Sequence, residues 1–209
     1  RGTSANHTAL LWNGLNINFP SLGQTDFSTI PLSGFDEMTI QYGSAASCVG
    51  TDAIGGSIQL RSQPSFNTVG VQAFSALRAE SSKNYSTQVG LKYNTQLKNS
   101  WKLSGKTLLY GSSFKNDFGT APITNRRGRS YAIEPIHTLQ KGLVQDAYLL
   151  NKKGDLLSLN LWFTDNNLTI QPQTLALREI TRTQAYRGVL AYQLGKTLFR
   201  TGFIRDITD

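Results

Sequence analysis

From about residue 66 onward, apolar and polar side chains alternate with a period of two, most regularly over residues 85–97. There Tyr85, Thr87, Val89, Leu91, Tyr93, Thr95 and Leu97 fall on one face, and Ser86, Gln88, Gly90, Lys92, Asn94 and Gln96 on the other. Successive side chains of a strand point to opposite sides of its sheet, so this segment has one apolar and one hydrated face. The pattern recurs and predicts seven strands, over residues 69–79, 85–97, 101–110, 143–150, 156–164, 186–194 and 198–204. Each is near the ~9–11 residues that a tilted transmembrane strand needs.

The connections between these strands differ in length. Residues 151–154 (Asn-Lys-Lys-Gly) and the pair Gly195-Lys196 are tight turns, whereas 116–140 and 171–181 are long. Short turns at one rim and long loops at the other are the asymmetry of an outer-membrane barrel, although a soluble sandwich also accommodates it. Before residue 66 the elements are shorter and punctuated by glycine. The apolar run 8–12, the dipeptide Asn13-Gly14 and the alternating run 15–19 predict a hairpin. Residues 20–29 read as a loop, Ile30-Pro31-Leu32 as an irregular or helical turn, 37–42 and 54–60 as strands, and 43–51 as a small-residue turn.

Composition adds exclusions. No window of about 18 apolar residues occurs, which excludes a helical membrane span, and a negative mean hydropathy does not argue against barrel strands, whose two faces average out. The formal charge of +8 is scattered except at Arg126, Arg127 and Arg129, so a nucleic-acid partner is not expected. Those three arginines, in the long loop, read either as a site for an anionic ligand or lipopolysaccharide phosphate or as a solvated loop. Cys48 is the one cysteine, set among small residues with no neighbouring base or metal ligand, and reads as packing.

Bond-making chemistry finds no support. His7 and His137 are far apart and read as turn or loop residues, so no metal site and no cofactor are expected. Asp36 and Glu37 are adjacent on an extended segment and point apart, and no nucleophile-elbow pattern occurs. Asp165-Asn166-Asn167 carries turn chemistry and predicts a hairpin or loop. Trp101, Trp162, Tyr93 and Tyr110 are candidates for an interfacial aromatic girdle, and Trp12 for the core.

Residues 1–64 resemble, motif by motif and in order, the second half of the plug of TonB-dependent outer-membrane receptors. The stretch RGTSANHTALLWNGLNI resembles the family's Arg-Gly pair, strand, turn and strand. STIPLSGFDEMTIQYG resembles its Ile-Pro-Leu segment and following strand, and SAASCVGTDAIGGSIQL its Gly-x-x-Ala-Ile-Gly-Gly-x-Ile close. The positions that carry the resemblance are Arg1, Gly2, Asn13, Gly14, Pro31, Gly43, Gly50, Ala53, Ile54, Gly55 and Gly56, with Ile58 completing the close. Thr39, Tyr42 and Ser44 stand at places often held by Glu, Arg and Pro in the family.

The resemblance implies a mainly β chain in two parts. Residues 1–66 would be the C-terminal half of a glycine-rich mixed plug, and 67–209 the first strands of an antiparallel up-and-down transmembrane barrel, left incomplete because such barrels have about 22 strands. It implies no enzyme and no cofactor, but uptake of an iron chelate, cobalamin or an oligosaccharide across the outer membrane of a Gram-negative cell. Ligand would be bound by the extracellular loops and the plug apex, with Asn16, Phe19 and Gln24 as candidates beside Arg126, Arg127 and Arg129. The partners implied are the ligand, outer-membrane lipid and the TonB energy-transducing complex, reached through an N-terminal box that these residues do not include. With no initiator Met and no signal segment, the chain is expected to be an internal piece. The rival readings are a soluble β-sandwich acting in carbohydrate binding or adhesion, and an outer-membrane adhesin or enzyme barrel.

Overall fold

The computed structural model describes residues 8–18, 27–43, 55–67, 69–81, 84–116, 123–124, 130–131, 136–170 and 179–208. A small sheet comes first: β1 (Thr8–Trp12), β2 (Leu15–Asn16), β3 (Glu37–Tyr42) and β4 (Gly56–Arg61), in the spatial order β2-β1-β4-β3. The β1–β2 hairpin turns at Asn13 and Gly14, both with positive φ, the conformation that an Asn-Gly turn supplies at low cost. β1 then pairs in parallel with β4, bringing Trp12 beside Leu60. Between them the chain makes two short 3-10 turns, Phe27–Thr29 and Leu32–Gly34, the second begun by the buried Pro31.

The second sheet has seven long strands: β5 (Gly70–Ala79), β6 (Tyr85–Gln96), β7 (Lys102–Asn116), β10 (Ile136–Leu150), β11 (Leu156–Ile170), β12 (Glu179–Leu194) and β13 (Thr197–Thr208). A separate two-residue hairpin, β8 (Ile123–Thr124) with β9 (Ser130–Tyr131), interrupts the β7–β10 connection. The long strands run antiparallel in chain order, β13-β12-β11-β10-β7-β6-β5, and the terminal strands β5 and β13 do not meet. This is an up-and-down wall that is not closed.

Four of its strands extend well beyond the predicted ones, and always toward the rim that carries the long connections. β7 and β10 reach Asn116 and Ile136, and β11 and β12 reach Ile170 and Glu179. The physical reason is that hydrophobic alternation stops where the wall leaves its apolar zone, while the backbone ladder continues. Fifteen residues at about 3.3 Å each make some 50 Å of strand, which stays taller than a ~25 Å apolar band even at a ~45° tilt. Asp165-Asn166-Asn167 accordingly lies inside β11, paired with Lys141-Gln140-Leu139, and is not a turn. His137 lies in β10, where its Nε2 is 3.2 Å from Ser113 Oγ, and is not a loop residue.

The ladder fixes two faces. One inner row runs Gly90, Leu108, Val144, Trp162, Arg187 across five strands, and the neighbouring outer row runs Val89, Leu109, Leu143, Phe163, Tyr186. Inner side chains meet the small sheet, so Leu108, Tyr110, Val144, Trp162 and Val189 are buried. Outer ones, including Val89, Leu91, Leu109, Leu159, Leu161, Leu190 and Phe203, are exposed. Among the described residues no second sheet packs on that outer side, which is what a β-sandwich would require. Trp162 and Tyr110 face inward and are joined by an Nε1–H donation of 2.9 Å, so neither is an interfacial girdle residue. Where polar groups do stand in the outer belt they satisfy one another: Thr107 Oγ1 donates to Gln145 at 2.6 Å, and Gln145 Nε2 to the Tyr93 hydroxyl at 3.3 Å.

Register is held by aromatic rings lying across glycines of the facing strand. Phe74 covers Gly90, Tyr93 covers Gly105 and Tyr110 covers Gly142, each pair directly opposite in the ladder. A Cβ at Gly142 would come within 2.3 Å of the Tyr110 ring and 2.5 Å of the Phe163 carbonyl oxygen. Gly142→Ala is therefore expected to destabilise the wall by about 1–3 kcal/mol, the usual range for overpacking. The check is the temperature at which the folded, fast-migrating band of the intact protein disappears on an unboiled gel; an unchanged midpoint would speak against register control by this pair.

Candidate functional site

The small sheet and the wall share one core. From the small-sheet side come Leu10, Trp12, Ile17, Ile30 and Leu60, and from the wall Leu108, Tyr110, Val144, Trp162 and Val189. Trp12 and Phe35 both approach the Trp162 ring edge-on, at 5.7 and 5.4 Å between centroids, a preferred arrangement for aromatic quadrupoles. Arg187 lies over the same indole, 4.5 Å from its centroid.

A polar seam borders this core. Asp36, just ahead of β3, takes Lys106 Nζ on Oδ2 at 2.7 Å and Lys92 Nζ on Oδ1 at 3.0 Å, while the backbone N–H of Gln63 donates to Oδ2 at 3.1 Å. Lys106 also stands 3.5 Å from Asp146, a carboxylate with no exposure that accepts from Asn160 Nδ2 at 2.7 Å. Asn160 donates in turn to the Tyr148 hydroxyl at 2.9 Å. Lys92, Lys106, Asp146 and Asn160 come from four strands of the wall, and Asp36 alone comes from the small sheet's side. Further contacts tie the two parts: Gln88 with Ser33, Gln140 with the Thr29 carbonyl, and Ser104 Oγ accepting from the Ser65 N–H at 3.1 Å.

Burial by itself would raise the Asp36 carboxyl, but donation from Lys106, Gln63 and Lys92 together with the charge of Lys106 outweighs it, holding the group below its ordinary 3.8. A carboxylate lowered in the folded state contributes stability above its ordinary value and loses it as pH falls through the lowered one. Seating of the small sheet on the wall is thus expected to be constant from about pH 8 to 5 and to weaken only below about pH 4. Limited proteolysis of the region around Asp36 across that range checks this, and Asp36→Asn is expected to flatten the dependence.

Of the residues singled out from the sequence, Asn13 and Gly14 form the β1–β2 turn, and Asn13 Oδ1 accepts the Ser62 N–H at 2.9 Å. Gly43 has φ +76, its N–H reaching the Gly55 carbonyl at 3.3 Å, and Gly56 opens β4 where a Cβ would strike the Gln41 carbonyl at 2.7 Å. Asn16 is half-buried in β2 and accepts the Asn18 N–H at 3.0 Å. Arg1, Gly2, Phe19, Gln24, Gly50, Ala53, Ile54, Arg126, Arg127 and Arg129 lie outside the described residues, as do His7, Ser44 and Cys48. Local sequence does not mark Asp36 as a site residue, because its partners Lys92 and Lys106 lie on distant strands of the wall. The available signal was the inward parity of Lys92 on β6 and Lys106 on β7.

Residues 1–57 match the family model described as TonB-dependent Receptor Plug Domain. The chain is also similar to the vitamin B12 transporter BtuB of Photobacterium profundum, 42% identical over 60 residues, which are 29% of this chain and 10% of that protein. To the vitamin B12 transporter BtuB of Vibrio vulnificus it is 36% identical over 64 residues, 31% of this chain and again 10% of the relative. The chain thus matches only about a tenth of the length of these curated relatives. Plug-family sequence, a small mixed sheet and an unclosed antiparallel wall with an apolar outer face occur here in series, and together with these matches they support a TonB-dependent receptor fragment.

Proposed function

We propose that the receptor to which this fragment belongs sits in the outer membrane of a Gram-negative cell and takes up a scarce nutrient through a plugged barrel, energised by the TonB complex. The reading is supported most by one observation: a wall whose outer face is apolar and whose inner face holds a plug-family sheet through Asp36, Lys92 and Lys106. The plug would extend to residue 66 and the barrel begin at 67. A pull on the plug would have to separate Asp36 from two wall lysines, a contact made by charges on both sides and therefore remade when the force ends. Transport of this kind transfers no chemical group, so the receptor is not an enzyme.

Cobalamin is the first ligand to test, because both relatives are named vitamin B12 transporters; an iron chelate and an oligosaccharide are the others. The plug-apex residues Asn16, Phe19 and Gln24 and the loop arginines Arg126, Arg127 and Arg129 are proposed ligand contacts. In cells lacking their own cobalamin receptor, the intact receptor is expected to restore accumulation of radiolabelled cyanocobalamin, and inactivating TonB to abolish it. Uptake of the same size without TonB would refute the energised mechanism. Accumulation of a ferric chelate instead would change the ligand and leave the mechanism standing.

A further inference from the structure

Lys106 stands between two carboxylates that belong to different parts of the receptor. Asp36, on the small-sheet side, holds its Nζ on Oδ2 at 2.7 Å, whereas Oδ2 of Asp146, on the wall, lies 3.5 Å away, beyond the ~2.7–2.9 Å of a charge-assisted hydrogen bond. Asn160 Nδ2 fixes the other oxygen of Asp146, Oδ1, at 2.7 Å. Asp146 Oδ2 is left buried with no hydrogen bond, and Ser62 lies beside the same carboxylate. A cavity of about 350 Å3 borders these groups, lined by Asp36, Gln63, Lys92, Lys106, Asp146 and Tyr148. A buried carboxylate oxygen without a donor is costly, and the seated plug, which already holds the lysine through Asp36, does not account for it.

We propose that Asp146 is the wall's own catch for Lys106: when the plug carries Asp36 away, Lys106 passes to Asp146, and it returns to Asp36 when the plug is reseated. Asp146 is thus a positioning residue for plug release, acting through Lys106, and the inference rests on the transport reading above. In the seated seam Lys92 and Lys106 balance Asp36 and Asp146. Losing Asp36 would strand two cations on the wall, but not equally. The Lys92 side chain is 45% exposed and is taken by water, whereas that of Lys106 is only 5% exposed, and a buried charge deprived of its partner is strongly destabilising. Asp146 removes that penalty. Its free oxygen needs Lys106 to approach by less than about 1 Å, a small swing for the flexible lysine stem beside a cavity. The wall then keeps a neutral, hydrogen-bonded pair, so the seam opens without an unpaired buried charge and closes by the same exchange in reverse.

Two measurements on the intact receptor test the exchange, each sufficient alone, so that a variant that fails to fold leaves the other to decide. The first is the crystal structure of Asp36→Ala, which takes away the plug's acceptor. Lys106 Nζ is expected to close from 3.5 Å to about 2.8 Å from Asp146 Oδ2. A lysine that turns to the cavity and leaves that gap open would overturn the proposal. The second is the time the plug takes to leave the barrel under a constant pull on its N-terminal end in optical tweezers, wild type against Asp146→Asn. The catch stabilises the released state more than the seated one, so its loss is expected to lengthen that time about tenfold, the equivalent of about 1.4 kcal/mol. A merely structural Asp146 predicts the opposite sign, since a weakened seam releases sooner; a shorter or unchanged time overturns the proposal. Nutrient uptake that survives inactivation of TonB contradicts the energised transport reading itself, whereas TonB-dependent uptake with Lys106 still 3.5 Å from Asp146 in Asp36→Ala contradicts only the exchange.

Discussion

Lys106→Met is expected to lower the stability of the receptor by about 3–5 kcal/mol, the range for removing one partner of a buried ion pair. The lysine is almost fully buried and stands between two carboxylates, Asp36 at 2.7 Å and Asp146 at 3.5 Å. Methionine fills a similar volume, so the loss is electrostatic: Asp146 keeps the donation from Asn160 but loses the one cation paired with it among the described residues, and Asp36 is left with Lys92 and the Gln63 N–H. Urea unfolding of the purified receptor at pH 7 measures the change. Adding Asp146→Asn to the same chain is expected to recover part of it, because the buried charge left behind is then gone. A single variant within about 0.5 kcal/mol of wild type, the ordinary scatter of surface substitutions, would show that the seam is not a charge-matched contact.

Trp12→Ala is the second large effect, again about 3–5 kcal/mol, from the usual cost of deleting a buried aromatic side chain together with the cavity it leaves. Trp12 has no exposure and, with Phe35, packs edge-on against Trp162 in the core shared by the small sheet and the wall. The wall's own ladder does not depend on it. The expected signature is therefore a plug that becomes sensitive to protease at lower temperature while the folded band of the barrel keeps its mobility. Loss of both together would mean that plug and wall form one cooperative unit.

The sequence carried the wall well and its ends poorly. Period-two alternation located β5, β6 and β13 to within a few residues, because in those strands the apolar face runs nearly the whole length. For β7, β10, β11 and β12 the ladder outlasts the alternation: Asp165, Asn166 and Asn167 have turn-forming side chains, yet each is paired on both sides with β10 and β12, and tertiary pairing overrides the local preference. Trp162 and Tyr110 looked like girdle residues because both are amphipathic; only the register, which puts Trp162 opposite Val144 and Arg187, shows that they face the plug. The glycine motifs of the first 60 residues were legible because Asn13, Gly14 and Gly43 need positive φ. The plug–wall seam was not, because Asp36 lies 56 residues from Lys92 and 70 from Lys106, and no local pattern spans that distance.

Everything proposed depends on the outer face of the wall meeting lipid and its inner face meeting the plug. A cysteine scan of residues 86–95 on β6, in a Cys48→Ser background of the intact receptor in its native membrane, reads this directly through spin-label collision with oxygen and with a charged nickel chelate. With Gly90 left unaltered because Phe74 covers it, positions 87, 89, 91, 93 and 95 are expected to collide with oxygen and exclude the chelate, while 86, 88, 92 and 94 are shielded from oxygen, giving a period of two. Equal accessibility of the two sets, or odd positions shielded from both reagents as in a closed protein core, would contradict the membrane wall.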